Sequence, residues 1–161
     1  MSTIIIRAAK ESDIDALCKL YIAFHEFHVQ GIPDRLRKPE QYNWEELQGS
    51  LKRILHDQQA TIIVAEDAGK VIGLAEVYLR EDILDSATVA HTYGYLQSLM
   101  VVEAYRHHRI GSQLIRAIEQ WAKEKGATEI QLDSWEFPEG PLHFYENRNY
   151  KTLKRKLVKS I

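Results

Sequence analysis

A short polar segment between two apolar patterns carries the residues best suited to chemistry. Leu99–Val101 ends an apolar run, residues 103–109 are mostly polar and include Arg106 and Arg109, and helical apolar spacing starts at Gly111. A loop that leads into a helix presents unpaired backbone N–H groups and the positive end of the helix dipole, which suit a phosphate or a pyrophosphate. The two arginines would add positive charge there. An ordinary connecting loop with incidental arginines would show the same pattern.

Other nucleotide and metal patterns do not fit. Gly69 and Lys70 lack the upstream glycine and the following Ser or Thr of a P-loop, and a hairpin turn explains them. His25 and His28 are three residues apart on a predicted helix, but they do not form the His-Glu-x-x-His pattern and no third ligand is evident. Cys18 is the only cysteine, which excludes an intrachain disulfide. We therefore predict no metal site.

Strands and helices that alternate along the chain would hold this loop. The predicted strands are Ile4–Ile6, Thr61–Glu66, Val71–Leu79, Thr92–Val101, Thr128–Ser134 and Tyr150–Val158. The predicted helices run from a cap at Ser12 to Gln30, from a cap at Asn43 to Leu55, over Gly111–Lys125 and over Pro141–Arg148. This order predicts a mixed α/β sheet with helices on both faces, in a single domain over residues 1–161.

Composition and charge narrow the class of protein. The chain has 161 residues, of which 45% are hydrophobic and 27% charged, as is typical of one globular domain. A formal charge of −2 argues against a nucleic-acid partner. No apolar run is long enough for a membrane-spanning helix, and the N-terminus lacks a secretion signal. These features, with the single cysteine, predict a cytoplasmic protein with no membrane partner.

The loop segment resembles the acetyl-CoA loop of the GCN5-related N-acetyltransferases (GNAT superfamily). In that family Leu-x-Val is followed by Gln/Arg-x-x-Gly-x-Gly/Ala, which opens a helix. Leu99 and Val101 match the first part. Arg106, Arg109 and Gly111 match the second part, except that Arg109 stands where the family prefers glycine. Glycine adopts a positive φ and permits close backbone approach at lower cost than arginine, so the pyrophosphate could sit differently here.

A second motif near the C-terminus strengthens the resemblance. Residues 144–150, Phe-Tyr-Glu-Asn-Arg-Asn-Tyr, are similar to the family ending Tyr-Glu-x-x-Gly-Phe, with Asn149 in place of glycine. Asparagine is the commonest residue other than glycine in the left-handed conformation, so this replacement is mild. The two motifs occur in the family's order and spacing, and the resemblance covers nearly the whole chain.

The resemblance implies both a fold and an activity. The implied fold is a mixed, mostly antiparallel sheet of six to seven strands, in which Thr92–Val101 and Thr128–Ser134 splay apart to form the CoA cleft. The implied activity is acetyl-CoA-dependent transfer of an acetyl group to a primary amine, by direct attack in a ternary complex. The acceptor could be a small-molecule amine or a peptide or protein lysine, and a homodimer is an open alternative. A catalytically silent CoA-binding or regulatory module is the alternative function.

The resemblance also implies a cofactor site. The backbone of Leu99, Met100 and Val101 would bind the pantetheine arm like an added strand, and its N–H groups could polarise the acetyl carbonyl. The pyrophosphate would be held by the loop and the start of the helix, which comprise Arg106, His107, His108, Arg109, Ile110, Gly111 and Ser112.

For the catalytic residues, the match between this sequence and the family is less complete. Tyr145 matches the tyrosine that protonates the departing CoA thiolate, although a packing role would need the same residue type. Some members use a glutamate as base where this chain has Tyr95, so we predict Glu76, on the preceding strand, as its substitute. The reserve candidates are Asp133, Glu136 and His91. Three aromatic residues are candidates for the acceptor wall: Tyr93, Trp135 and Phe137.

Overall fold

The computed structural model describes residues 3–161 and contains five strands and four α-helices in that range. The strands are β1 (Ile5–Ala8), β2 (Ala60–Asp67), β3 (Lys70–Glu81), β4 (Thr92–Val101) and β5 (Glu129–Gln131). The helices are α1 (Ile14–Gly31), α2 (Trp44–His56), α3 (Ile110–Glu124) and α4 (Leu142–Glu146). Single 3₁₀ turns cover Glu11–Asp13 and Glu103–Tyr105. The single domain over residues 1–161 stays a prediction, and residues 1 and 2 lie outside the described range.

The strands form one mixed, mostly antiparallel sheet in the order β1-β2-β3-β4-β5. The pairs β1–β2, β2–β3 and β3–β4 are antiparallel, and β5 is parallel to β4. The turn between β2 and β3 contains Ala68 and Gly69, both with positive φ, so the hairpin predicted there is confirmed. The sheet class predicted from the resemblance is also confirmed.

Helices cover both faces of the sheet, as predicted. On one face α3 buries Leu114 and Ile118 against the strands, in a core that also holds Tyr145. On the other face α1 and α2 bury Leu17 and Leu51 in a second core. Successive side chains of a strand point to opposite faces, so a strand covered on both sides is apolar along most of its length. β3 accordingly buries every residue from 71 to 77.

β4 and β5 separate soon after they meet. Their ladder covers only residues 93–95 of β4 and 129–131 of β5, whereas β4 continues to Val101. Residues 96–101 therefore have no strand partner on this edge within the described chain. The cleft that the resemblance implied between these two strands is present. β5 is shorter than the predicted Thr128–Ser134 because the separation ends its ladder.

Helix ends follow local capping signals only in part. The Asn43 side chain accepts a hydrogen bond from the Glu46 N–H at 3.0 Å, so the predicted cap of α2 is confirmed. The predicted cap at Ser12 is wrong, because a 3₁₀ turn precedes α1. There the Asp13 carboxylate accepts the Lys10 N–H at 2.9 Å and pairs with Arg7. Arg7 is a tertiary partner that the helix pattern does not contain.

The predicted closing strand Tyr150–Val158 is not formed, and the sheet has five strands instead of six or seven. Residues 151–161 have no helix or strand, and all of them are exposed. A strand forms only where a neighbouring edge accepts its backbone hydrogen bonds, and the described chain gives this segment no such ladder. Within residues 3–161, no helix is long and apolar enough to cross a membrane.

Candidate active site

The separated part of β4 presents its backbone to the cleft. Leu99 and Val101 pack partly against the α3 core, and Met100 packs against the α1 core on the opposite face. β4 is fixed on its other edge by β3, with Leu99 opposite Ala75. One residue of β4, Gln97, is extra in this register, because Glu76 lies opposite Ser98 and the next residue of β3 lies opposite Leu96. Such a bulge locally re-aims the strand.

The loop after β4 follows a glycine-like backbone path without glycine. His107 has φ 66° and Arg109 has φ 62°, both in the left-handed region. Arg109 is the residue before α3, and its carbonyl accepts the first helical hydrogen bond, from Gln113 at 3.1 Å. The chain therefore keeps the left-handed conformation at the position where the family prefers glycine. This conformation costs energy in a residue other than glycine. Backbone strain of this kind is often found at ligand sites.

Arg106 points away from the start of α3. Its Nε donates to the Val101 carbonyl at 3.1 Å, and its guanidinium lies 5.4 Å from the centre of the Phe27 ring. Both contacts direct its charge toward the end of β4 and toward α1. His107, His108 and Arg109 are exposed.

Arg148 places a cation at the start of α3, and sequence reasoning missed it. Its Nη2 donates to Ser112 Oγ, its Nη1 donates to the Phe144 carbonyl at 2.6 Å, and its guanidinium lies 3.6 Å from the Phe144 ring centre. Ser112 and Arg148 are 36 residues apart, so only the tertiary fold joins them. The one local signal was the position of Arg148 inside the second family motif.

Gly111 is required by packing. Its φ is not positive, but a Cβ built on it would lie 3.0 Å from the Phe144 ring. This is closer than nine in ten real Cβ contacts, so a larger residue would need the Phe144 ring to move by a few tenths of an ångström or more. The start of α3, where the first helical N–H groups lack partners within the helix, is thus held close to the second motif.

A cavity of about 660 Å³ opens between α1, the end of β4 and the loop after β5. Phe27 and Phe137 lie on its wall with ring centres 5.7 Å apart. Of the cofactor residues predicted from the sequence, Met100 and Arg106 line it. It also contains three acidic side chains, from Glu26, Glu103 and Glu139. Of the three predicted wall aromatics, only Phe137 lines it.

Glu76 is buried and bonded through both carboxylate oxygens. Its Oε2 accepts the Tyr21 hydroxyl and its Oε1 accepts the Tyr78 hydroxyl, each at 2.5 Å. Burial and the nearby carboxylate raise the pKa of both tyrosines, so their hydroxyls stay protonated. Glu76 is 5% exposed and does not line the cavity formed by the described residues. The phenol hydroxyls enclose its carboxylate.

Tyr95 and Asp133 face each other where the two strands separate. Tyr95 is the last paired residue of β4, and its hydroxyl donates at 2.7 Å to Oδ2 of Asp133, two residues beyond the last paired residue of β5. Arg80 covers the Tyr95 ring at 3.9 Å. Burial and Asp133 raise the pKa of Tyr95, which keeps its hydroxyl a donor. The tyrosine at the family's glutamate position thus orients an exposed carboxylate at the entrance of the cleft.

Tyr145 lies in the core beneath α3. It is 8% exposed, and its ring packs 5.3 Å from Phe144 and 5.6 Å from Tyr150, centre to centre. Burial raises the pKa of its phenol. Within residues 3–161 its hydroxyl makes no hydrogen bond. These contacts fit a packing role and leave the hydroxyl free to bind another group.

The histidines considered as metal ligands or as a reserve base bond neighbouring groups. His25 Nε2 bonds the Arg37 carbonyl at 2.9 Å, and His28 Nδ1 bonds the Phe24 carbonyl at 2.9 Å. His91 Nδ1 lies 3.3 Å from Asp82. No group of three or more metal-ligating side chains occurs in the described part of the chain. The absence of a metal stays a prediction. Glu136 is exposed in the loop after β5.

Comparisons with known proteins agree with the fold. A family model described as Acetyltransferase (GNAT) family matches residues 14–150. The uncharacterized N-acetyltransferase YhfO of Bacillus subtilis (strain 168) is 28% identical over 149 residues, covering 91% of this chain and 89% of that protein. The aminoglycoside N(6')-acetyltransferase type 1 of Salmonella typhimurium is 31% identical over 81 residues, covering 48% of this chain and 52% of that protein.

A solved structure supports the same assignment at the level of the fold. The crystal structure of a mutant of the BH1408 protein from Bacillus halodurans has a TM-score of 0.86, with 24% identity over 98% of this chain and 99% of that one. The chain belongs to the GNAT acetyltransferase family, as its motifs predicted, and is an acetyl-CoA-dependent N-acetyltransferase.

Proposed function

We propose that this enzyme transfers an acetyl group from acetyl-CoA to a primary amine by direct attack in a ternary complex. The observation that carries this proposal is the unpaired edge of β4, which lies beside the start of α3 and faces a large cavity. One side of the cleft can hold the thioester while the amine approaches from the other. The amine nitrogen would then attack the acetyl carbonyl carbon, and the C–S bond would break as CoA leaves as a thiolate.

The cofactor would bind along β4 and around the start of α3. Backbone groups of Leu99–Val101 would pair with the pantetheine amides, and their N–H groups would stabilise the developing oxyanion. The pyrophosphate would lie against residues 106–112, where the helix N-terminus and Arg109 favour negative charge. Arg148 adds charge at Ser112, on the same turn of α3. Support comes from the left-handed conformation of Arg109, which is a conformation that glycine, the family's residue at this position, adopts readily.

The proton of the attacking amine needs an acceptor. A lysine-like amine has a pKa of about 10.4, so only about one molecule in a thousand is neutral near pH 7. We propose that Glu76 accepts this proton. Because Tyr21 and Tyr78 enclose the carboxylate, the proton would travel through a phenol hydroxyl that donates to Glu76 while it accepts from the amine or from a water. Asp133, oriented by Tyr95, is the alternative acceptor.

Tyr145 is the proposed general acid for the CoA thiolate. Its hydroxyl stays protonated at neutral pH because burial raises its pKa, and it has no partner among the described residues. The same rise makes the phenol a weaker acid, so the proton it offers assists the departure of the thiolate only modestly. Its ring also packs against Phe144, which contacts Gly111 at the start of α3.

The acceptor that fits the cavity best is a small cationic amine. Glu26, Glu103 and Glu139 would attract positive charge in excess of Arg106, the one cation that lines the same cavity in the described part of the chain and that lies over Phe27. The Phe137 ring would stabilise the cationic acceptor over its face. Similarity to an aminoglycoside N(6')-acetyltransferase over half of the chain supports this class. A peptide or protein lysine is the second acceptor class, because an exposed carboxylate at the cleft entrance could bind a lysine side chain equally well.

A panel assay tests the proposal directly. Thiol release from acetyl-CoA would be followed with aminoglycosides, polyamines, amino acids and lysine peptides as acceptors. We expect turnover with at least one polycationic small molecule and little with peptides. Turnover with peptides alone would replace the proposed acceptor class. No turnover with any acceptor, together with tight CoA binding, would favour a silent CoA-binding module. The enclosure of Glu76 and the packing of Tyr145 are the observations that support this alternative.

We also propose that the enzyme needs no metal and works in the cytoplasm without a nucleic-acid or membrane partner. In the part of the chain that the structure describes, His25 and His28 are not joined by a third metal-ligating side chain, which supports the first point. The near-neutral net charge and the single cysteine support the remaining points. Activity after dialysis against a chelator checks the first of these.

A further inference from the structure

Arg80 is an exposed cation that lies on aromatic rings and pairs with no carboxylate. It belongs to β3, and its guanidinium lies 3.9 Å from the centre of the Tyr95 ring on β4 and 5.7 Å from that of Tyr78. Among the described residues it makes no ion pair and no hydrogen bond. Contact with an aromatic face holds a guanidinium in place and leaves its N–H groups free. Arg80 therefore presents several donors to an anion.

Asp133 lies at the hydroxyl end of the same tyrosine. The Tyr95 hydroxyl donates to Asp133 Oδ2 at 2.7 Å, and Asp133 Oδ1 has no partner in the described part of the chain. Asp133 is exposed, so this second oxygen can accept a hydrogen bond from a ligand. Tyr95 thus has a cation on the face of its ring and an anion at its hydroxyl. The two charges are close together, but they do not pair with each other.

Arg80 lies on the same face of the sheet as the proposed base. Side chains alternate along a strand, so Glu76, Tyr78 and Arg80 project from one side of β3. The Tyr78 hydroxyl donates to Glu76 at 2.5 Å, and the Tyr78 ring lies beside the Arg80 guanidinium. Only one tyrosine therefore separates Arg80 from the carboxylate that accepts the proton of the attacking amine.

The position of Asp133 along the cleft sets how far a bound molecule must reach. Asp133 follows Gln131, which pairs with Tyr95, by two residues, whereas Leu99 follows Tyr95 by four. An extended chain advances about 3.3 Å per residue, so a group bound at Asp133 is about 7 Å from the level of Leu99. A chain of four methylene groups spans roughly 6 Å. An amine on such a chain can reach the thioester at the end of β4 while its other end stays at Asp133.

We propose that Arg80 and Asp133 form a head-group site for a basic amino acid such as lysine. Asp133 accepts the α-ammonium group, and the planar guanidinium of Arg80 pairs with the α-carboxylate. The side-chain amine attacks the acetyl carbonyl carbon, its proton passes to Glu76, the C–S bond breaks, and CoA leaves as a thiolate. This inference rests on the proposed function and narrows its small cationic amine to one with a zwitterionic head group.

Acceptors that differ by one charged group test the head-group site. Cadaverine is lysine without the carboxylate, and Nα-acetyl-lysine lacks the α-ammonium charge. From initial rates of thiol release, kcat/KM for lysine should exceed that for either analogue about tenfold, because each analogue loses one charged contact. Arg80→Met should remove most of the preference over cadaverine, through KM, and Asp133→Asn most of the preference over Nα-acetyl-lysine. Arg116→Met, at an exposed arginine of α3, is the control and should keep both preferences.

Binding measured without turnover separates this inference from the proposed function. Calorimetry with lysine and the CoA-bound protein should show binding at millimolar concentration or below. Arg80→Met should weaken it about tenfold, and Arg80→Lys, which keeps the charge, should weaken it less. If no acceptor is turned over but lysine binds in this way, acetyl transfer fails and the head-group site stands. The inference is overturned if lysine does not bind, if the wild type does not distinguish lysine from cadaverine, or if Arg80→Met behaves like Arg116→Met.

Discussion

At the scale of single residues, the tyrosine hydroxyls differ in whether they already donate a hydrogen bond. Tyr21, Tyr78 and Tyr95 each donate to a carboxylate, whereas Tyr145 donates to no described residue. A proton donor for the thiolate must be free to reach it, and this difference separates Tyr145 from these three tyrosines.

Tyr145→Phe should lower kcat and leave KM for acetyl-CoA unchanged, because the proton is needed only while the C–S bond breaks. General acid catalysis contributes about 10²–10⁴-fold, and a thiolate leaves readily, so we expect a loss near the low end. Initial rates with melting curves measure this. Tyr150→Phe is the matched control, since it removes a neighbouring hydroxyl that bonds Glu119. A kcat within twofold of wild type would assign Tyr145 to packing alone.

Glu76→Gln keeps the size of the side chain and removes the base. We expect the acidic limb of the pH–rate profile to shift or vanish, while the acetyl-CoA affinity measured by calorimetry stays the same. Glu81→Gln, an exposed change further along β3, should leave the profile unaltered. If Glu76→Gln also has the wild-type profile, the proton goes to Asp133, to Glu136 or to solvent.

At the scale of elements, the start of α3 is where the two family motifs meet. Phe144 of α4 lies against Gly111, and Arg148 bonds Ser112 one residue further on. The proposed phosphate site would therefore depend on the packing between α3 and α4 as well as on the loop.

Gly111→Val should abolish stabilisation by acetyl-CoA. For the wild type, ligand at 100 times its Kd adds about 2.7 kcal/mol of stability, which raises Tm by roughly 5–10 °C. A valine side chain would collide with Phe144 and block close approach of the ligand to the backbone. Ligand-induced shifts are compared with each variant's own baseline. Gly49→Val is the control, because a Cβ at this helical glycine would make only an ordinary contact, with the Arg53 side chain at 3.6 Å. A wild-type shift in Gly111→Val would remove the start of α3 from the site.

At the scale of the whole molecule, Arg7 joins segments that are far apart in sequence. It donates to Asp13 before α1 at 2.7 and 3.0 Å and to Glu66 on β2 at 2.5 and 2.8 Å. The Asp13 carboxyl is 8% exposed, and its hydrogen bonds from Arg7 lower its pKa. A folded-state pKa below the unfolded value gives stability that is present at neutral pH and is lost as pH falls through the folded-state value.

Asp13→Asn should lower stability at pH 7 by about 2 kcal/mol, the usual cost of a lost hydrogen bond to a charged group. The difference from wild type should begin to shrink below about pH 4, where Asp13 of the unfolded chain takes up a proton, and should be lost once the pH falls below the lowered pKa of the folded protein. Denaturant unfolding at several pH values measures it. Asp15→Asn, an exposed change near the start of α1, should cost less than about 0.5 kcal/mol. A constant difference across this pH range would contradict the linkage.

Local pattern was sufficient wherever an element's own residues decide its structure. The periodicity of Leu114 and Ile118 predicted α3, the side chain of Asn43 predicted the cap of α2, and Asn149 adopts the left-handed φ of 66° that its motif required. Each of these depends on contacts within a few residues. The family motifs carried the rest, because they encode a fold that periodicity alone does not specify.

Distances between remote segments could not be read from the sequence. The enclosure of Glu76 needs Tyr21, which is 55 residues away, and the contact of Arg148 with Ser112 spans 36 residues. The direction of Arg106 toward Val101 and Phe27 depends on how α1 packs beside the end of β4. These placements decide which charges and hydroxyls can meet a substrate.

The sequence by itself determined the family and most of the elements up to Tyr150, because these follow from short-range spacing and motifs, whereas the acetyl-CoA loop stays a prediction. The tertiary structure decided where β4 and β5 separate and which carboxylates face the cleft. It also decided that residues 151–161 have no partner in the single chain. A strand-like sequence pattern indicates that a segment can form a strand, but the segment forms one only where the edge of a neighbouring strand is available.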